Sequence, residues 1–201
     1  SNVKRVYLGS WGYGLFEYTD GERTNHYTNE NSSLELTTFG GTWIGVGGLD
    51  FDANNNLWVT NSSAASVVSV RKNNGEWKAY NLGSAATGVD VGKIMVDKQG
   101  LKWLMVRAHA LVVFNDNNTL DDTSDDQAKR LTSSAGNGAL PGTSILSMAS
   151  DRDGQVWIGS DAGVSVFYSP LGIFSNQNYD AQRILIEQDG YGQYLLEAEA
   201  V

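Results

Sequence analysis

A Gly-rich, Pro-poor chain that repeats one Asp-to-Trp pattern three times at blade-length intervals predicts an all-β fold of β-propeller blades, each of four antiparallel strands, about four blades in all. Three observations carry this. Twenty-three Gly against two Pro, with Asn, Ser and Asp between short apolar runs, mark a chain that turns often. Hydrophobic residues at 41%, including six Trp, nine Tyr and six Phe, are enough to bury a core. The third is the repeat itself. Asp52 to Trp58, Asp97 to Trp103 and Asp151 to Trp157 each place five residues between Asp and Trp, with Asn55, Gly100 and Gly154 at one shared position.

The Trp-to-Trp steps are 45 and 54 residues, and Tyr7 stands 51 residues before Trp58, where a fourth copy would put its aromatic residue. Steps of about 40–50 residues match propeller blades. Each unit divides into short strand-like pieces. The first is residues 49–52, 94–97 or 148–151; the second is 7–10, 58–61, 103–106 or 157–160. A third follows at 15–18, 67–70, 111–114 and 164–167, and a fourth at 23–27, 77–80, 129–131 and 183–187.

The Asp-to-Trp segment is then the turn between the first and second strands. Asn or Gly supplies the positive φ that a tight hairpin needs, and Asp52, Asp97 and Asp151 cap it. The Trp opens the second strand and packs between neighbouring blades, because one blade alone cannot shield its apolar faces from water. The expected units are 3–44, 45–90, 91–143 and 144–193, with 194–201 as the first strand of a next unit. An arc cut from a larger propeller is the favoured arrangement; closure of the last strand onto the first unit, giving a four-bladed ring, is the alternative. An arc exposes strand edges that pair with other chains, so self-association through blade edges is expected.

A formal charge of −9 argues against a nucleic-acid partner, which requires clustered Lys and Arg, and against anionic membrane surfaces. No run of about 18 apolar residues is present, so no membrane insertion is expected. Without Cys there is no disulfide framework, thiolate metal site or Cys nucleophile.

The segment Asp151-Arg-Asp-Gly-Gln-Val-Trp-Ile-Gly-Ser-Asp-Ala-Gly-Val164 resembles the two-component-regulator propeller repeat, whose pattern runs Asp-x-x-Gly-x-x-Trp-Ile-Gly-Thr-x-x-Gly-Leu. Residues 6–18, with His26-Tyr-Thr-Asn29, are similar to the second half of the same repeat. Trp58-Val-Thr-Asn61 and Trp103-Leu-Met-Val106 depart from it. Such repeats form periplasmic sensor regions of hybrid two-component systems in Bacteroidetes and PorZ-like secreted propeller proteins of type IX secretion. The resemblance implies an extracytoplasmic module, in the periplasm or at the cell surface, that binds a glycan, lipopolysaccharide or a protein partner in sensing or secretion. The repeat's marked residues are structural, so it brings no catalytic positions.

Several segments invite chemistry. Residues 115–126 hold five Asp among Asn and Thr, and such a density of hard oxygen ligands suits Ca²⁺. If a calcium site exists, Asp116, Asp121, Asp122, Asp125 and Asp126 are its ligands. The segment lacks the mid-loop Gly and closing Glu of an EF-hand, and a solvated acidic hairpin loop is the other reading. Asp151-Arg-Asp-Gly154 fails the spacing of a sialidase-type Asp-box. The two histidines, His26 and His109, sit near no nucleophile elbow or zinc motif.

Arg107 and His109, in the loop after a second strand, can edge a propeller face and touch a ligand. Trp11 and Tyr13, in the Gly-containing loop 10–14, are candidates for stacking on a sugar. Exposed aromatics with few bases suit neutral glycan. Gly45-Val-Gly-Gly48 is too short for a dinucleotide fingerprint and reads as a blade-entry turn. The expected function is thus non-enzymatic ligand binding. The alternatives are a polysaccharide lyase or glycoside hydrolase propeller, which needs carboxylates or a His/Tyr/Arg cluster converging on one face, and a purely structural scaffold.

Overall fold

The computed structural model describes residues 3–107, 110–175, 179–188 and 191–195. These form two compact units, Ser1–Ile94 and Met95–Val201. The described residues are all β apart from two short 3₁₀ turns.

In the first unit the strands are β1 (Arg5–Gly12), β2 (Gly14–Thr19), β3 (Glu22–Tyr27), β4 (Ile44–Phe51), β5 (Leu57–Ser62), β6 (Val68–Arg71) and β7 (Trp77–Tyr80). They make one antiparallel sheet in the order β3-β2-β1-β4-β5-β6-β7. The sequence suggested separate sheets here. They merge because β1 runs past Ser10, and its last two residues pair Trp11 with Gly45 and Gly12 with Ile44. One expectation is corrected by this pairing: Gly45–Gly48 is not a turn but part of β4. Trp11, Gly12 and Tyr13 link the paired Ser10 and Gly14 as expected, while Trp11 and Gly12 also pair with β4. The register of β4 against β5 shifts between Val46 and Leu49, a bulge that takes up the extra Gly pair.

The strand β8 (Val91–Val96) spans the boundary of the two units and edges the sheet β11-β10-β9-β8, with β9 (Lys102–Val106), β10 (Ala110–Asn115) and β11 (Gln127–Leu131). A further sheet holds β12 (Ile145–Ser150), β13 (Val156–Ser160), β14 (Gly163–Phe167) and β15 (Gln182–Arg183) in sequential order. The stretch 183–187, expected as one fourth strand, divides. Only Gln182 and Arg183 pair with β14, while β16 (Leu185–Gln188) turns back on β17 (Tyr191–Tyr194) as a separate hairpin. Tyr194 therefore ends a hairpin instead of opening a new unit, and residues 196–201 of that expected strand lie outside the described residues.

The repeat is exact at the level of hydrogen bonds. In each turn one carboxylate oxygen of the Asp accepts two backbone N–H groups: Asn54 and Asn56 on Asp52, Gln99 and Leu101 on Asp97, Asp153 and Gln155 on Asp151, all at 2.9 Å. The other oxygen accepts the indole N–H of the Trp, at 3.0 Å for Trp58, 2.8 Å for Trp103 and 2.9 Å for Trp157. Asn55, Gly100 and Gly154 have φ of 61°, 86° and 84°, the left-handed conformation that Asn and Gly tolerate. The capping role expected of the three Asp is present, and the same side chain also anchors the Trp.

Register repeats as faithfully. Trp58 faces Val70, Trp103 faces Val113 and Trp157 faces Val166 across the second and third strands. Trp58 and Trp103 are fully buried, stacked on Tyr80 and tilted against Phe167 respectively. Around Trp103 the core gathers Met95, Leu111, Val113, Leu131, Met148 and Ile158. A smaller core in the first unit gathers Leu15, Leu34, Ile44, Val46, Leu57 and Val59.

Candidate functional site

The repeat accounts for three of the six Trp; Trp11, Trp43 and Trp77 stand outside it. Trp77 packs on Tyr27 at 5.1 Å. The other two meet at one site. Trp11, at the end of β1, lies edge-on to Trp43, immediately before β4, with ring centroids 5.3 Å apart. Tyr13 projects from the reversal between β1 and β2. Trp11 is 43% exposed and Tyr13 74%. With Ser10, Gly12 and Thr42 these rings line an open cleft of about 810 Å³.

The geometry follows from the strand pairing. Trp11 and Gly12 face Gly45 and Ile44, and a Cβ placed on Gly45 would lie 2.5 Å from the Trp43 ring, one on Gly12 3.1 Å from it. The two glycines therefore leave the hollow in which the indole lies. The connection from β3 to β4 is held from below by Asn61, fully buried, whose side chain accepts the Glu35 N–H at 2.5 Å and donates to the Glu35 carbonyl at 3.2 Å. Thr38 N–H on the Ser63 carbonyl at 2.8 Å and Thr37 N–H on the Trp43 carbonyl at 3.1 Å close the loop just ahead of the ring.

A second hollow of about 350 Å³ continues from the first, sharing Gly12, Tyr13 and Thr42 and adding His26, Asn29 and Glu30. His26 stacks on Phe16 at 4.3 Å, and its Nε2 is 2.6 Å from the Tyr13 carbonyl, which fixes the reversal. Exposed Asn29 and Glu30 at the end of β3 present polar groups beside the aromatic platform. A flat aromatic face with amide and carboxylate groups at its margin can stack on a sugar ring and hydrogen-bond its hydroxyls.

Of the sequence-predicted contacts, Trp11 and Tyr13 come together here. Trp43 was missed; its position off the repeat, between Gly41 and Gly45, was the available signal. Arg107 is exposed beyond β9, in the other unit, and His109 lies outside the described residues.

Asp116 is buried and bonded to the Lys102 ammonium at 2.5 Å, with both side chains 2% exposed, and the same oxygen accepts the Asn118 N–H at 3.1 Å. Asp125 accepts the Thr119 hydroxyl at 2.9 Å, and Asp122 accepts the Ser124 N–H at 2.9 Å. Among the described residues no three carboxylates or histidines, Asp121 and Asp126 included, are grouped as a metal ion requires. The cation beside Asp116 is the Lys102 ammonium.

Residues 139–162, which hold the third copy of the Asp-to-Trp turn, match the family model described as two component regulator propeller. No curated protein matches the chain in sequence. Among solved structures the chain is similar to PorZ, a bacterial surface component of the type-IX secretion system of Porphyromonas gingivalis: 25% identity, 96% of this chain and 27% of PorZ, TM-score 0.82. It is similar in fold to the extracellular domain of the hybrid two component system BT3049 of B. thetaiotaomicron (18% identity, 89% of this chain, 23% of that one, TM-score 0.52). The extracellular domain of BT4673 from the same organism matches at 15% identity over 94% of this chain and 23% of its own, TM-score 0.57. The chain thus spans about a quarter of the length of these structures. No helix among the described residues is long and apolar enough to cross a membrane. With its thrice-repeated Asp-to-Trp turn and four-stranded sheets the chain has the fold of propeller blades, and residues 139–162 resemble the two component regulator propeller repeat.

Proposed function

We propose that this chain is part of an extracytoplasmic propeller, an arc of a larger one, that binds a glycan, lipopolysaccharide included, without turning it over. The observation that carries the reading is the platform of Trp11, Tyr13 and Trp43, in which the exposed rings of Trp11 and Tyr13 stand beside the half-buried Trp43. Large exposed aromatics cost a soluble protein solvation and are retained where they meet a ligand. PorZ and the extracellular sensor domains, the proteins this fold resembles, support a place in sensing or secretion and outside the cytoplasm.

Glycan-array retention run beside turnover assays tests this. Retention without product is expected, lost in Trp43→Ala and Tyr13→Ala proteins that keep the wild-type melting temperature. Product release would replace binding by lyase or hydrolase chemistry. No retention on any glycan, with a protein partner captured by the same face, would move the site to protein recognition.

A further inference from the structure

At the far end of β1 from the aromatic platform, the repeat is broken in three places. Where the other copies have a Trp, the first has Tyr7. Where Val70, Val113 and Val166 face that Trp, Glu17 faces Tyr7. Where Phe167 faces Val156 and packs on Trp103, Arg71 faces Leu57 and its guanidinium stands 5.9 Å from the Tyr7 ring. Three apolar positions of the blade core have become a phenol, an acid and a guanidinium. Polar groups at core positions are costly unless something uses them.

The guanidinium is built into place. It lies over Tyr7 and, at 5.5 Å, over Tyr27, and its Nε–H donates to the Tyr27 hydroxyl at 3.2 Å. That hydroxyl donates to Glu17 at 2.5 Å, and Asn25 donates to the same carboxylate oxygen at 2.9 Å. Burial pushes the Glu17 carboxyl up, but these hydrogen bonds and the Arg71 charge outweigh it and hold it below the ordinary carboxylate range. Among the described residues the Arg71 Nη groups make no hydrogen bond. They border a cleft of about 260 Å³ whose other walls include Arg5, Tyr7, Phe51, Asn55 and Asn73. Arg5 approaches Glu17 at 3.8 Å and is otherwise exposed. Two guanidinium groups against one carboxylate leave a positive charge in a chain whose total is −9.

We propose that this cleft is an oxyanion subsite, in which Arg71, supported by Arg5 and the amides of Asn55 and Asn73, receives a carboxylate or phosphate group while Tyr7 and Phe51 flank its carrier. A guanidinium presents two N–H groups in a plane that matches either anion, and partial burial strengthens such charge-assisted bonds. The cleft is smaller than the roughly 300–1,000 Å³ of drug-sized ligand sites, so it takes one charged substituent. It is about 13 Å along β1 from Trp11, at about 3.3 Å per strand residue, and is a site separate from the platform.

Titrations of the chain with sodium glucuronate, inorganic phosphate and neutral glucose, followed by the Arg71 Nε resonance and by calorimetry at low and raised salt, test it. Glucuronate alone, phosphate alone or both shift the resonance, which names the source of the anion. Affinity falls with salt, falls about tenfold or more in Arg71→Met and is partly kept in Arg71→Lys. The cleft is no anion site if neither anion moves the Arg71 signal, if glucose moves it as much, or if Arg71→Met binds as the wild type does. Trp43→Ala leaves the anion titrations unchanged, so failure at this cleft and failure at the aromatic platform are told apart.

Discussion

Replacing Lys102 by Met tests whether the acidic segment is a closed structural pair or an open cation site. Lys102 and Asp116 are each 2% exposed and 2.5 Å apart, so the substitution keeps the aliphatic stem and strands a carboxylate among apolar neighbours. Breaking a buried pair from one side costs about 3–5 kcal/mol. Against a total stability of about 5–15 kcal/mol that is about a fifth or more of it, and roughly a hundredfold or more in the folding equilibrium. With a urea slope of about 2 kcal/mol/M, the midpoint of the tryptophan-fluorescence transition falls by about 1.5–2.5 M.

The double replacement Lys102→Met with Asp116→Leu removes both charges and leaves no buried charge of the pair unpaired, at the cost of the bond from the Asn118 N–H and the contact of the ammonium with Phe114, so it melts above the single variant. Added Ca²⁺ leaves the wild-type midpoint where it was. A single variant within about 1 kcal/mol of wild type, a double variant weaker than the single, or a rise in midpoint with Ca²⁺ would refute the reasoning, since a one-sided break of a buried pair is the costly case.

Gly45→Ala puts a methyl 2.5 Å from the Trp43 ring; the expected result is wild-type secondary structure by circular dichroism, a displaced Trp43 and weaker glycan retention. The chain loses stability as pH falls through the lowered carboxyl ranges of Glu17 and Asp52, because groups depressed in the folded state stabilise it only above their unfolded values. Urea midpoints at pH 6 and pH 3 check this, and Glu17→Gln makes the fall shallower. Asp97 runs the opposite way, since burial raises it against its bonds from Trp103 and Leu101; its share is present in acid and lost as pH rises through its folded value. The edge of β1 across from β2 is paired, among the described residues, only at Trp11 and Gly12, and Val6 and Leu8 are 51% and 50% exposed along it. Self-association of the isolated chain through this edge is the expected outcome, and a monomer by light scattering at micromolar concentration would count against it.

Local chemistry alone settled a good deal. The Asp, Gly or Asn and Trp at fixed spacing act within one hairpin, so their positions in the chain determine the turn, its cap and the strands on either side. A repeat of such hairpins must stack to bury its Trp residues, which made the blades legible. The middle units followed the same rule although their second strands departed from the family pattern, because the anchoring Asp and the facing Val were kept.

What the sequence could not decide were contacts between segments far apart in it. Gly45–Gly48 looks like a turn until β1 pairs with it. Trp43 looks like any loop Trp until Gly12 and Gly45, 33 residues apart, open the hollow beneath it. Five clustered Asp look alike in the sequence until a Lys from the neighbouring strand pairs with one of them, Asp116. Each of these depends on which backbone lies beside which, and hydrogen-bond pairing and packing across the sheet, unlike residue spacing, exist only in the folded chain.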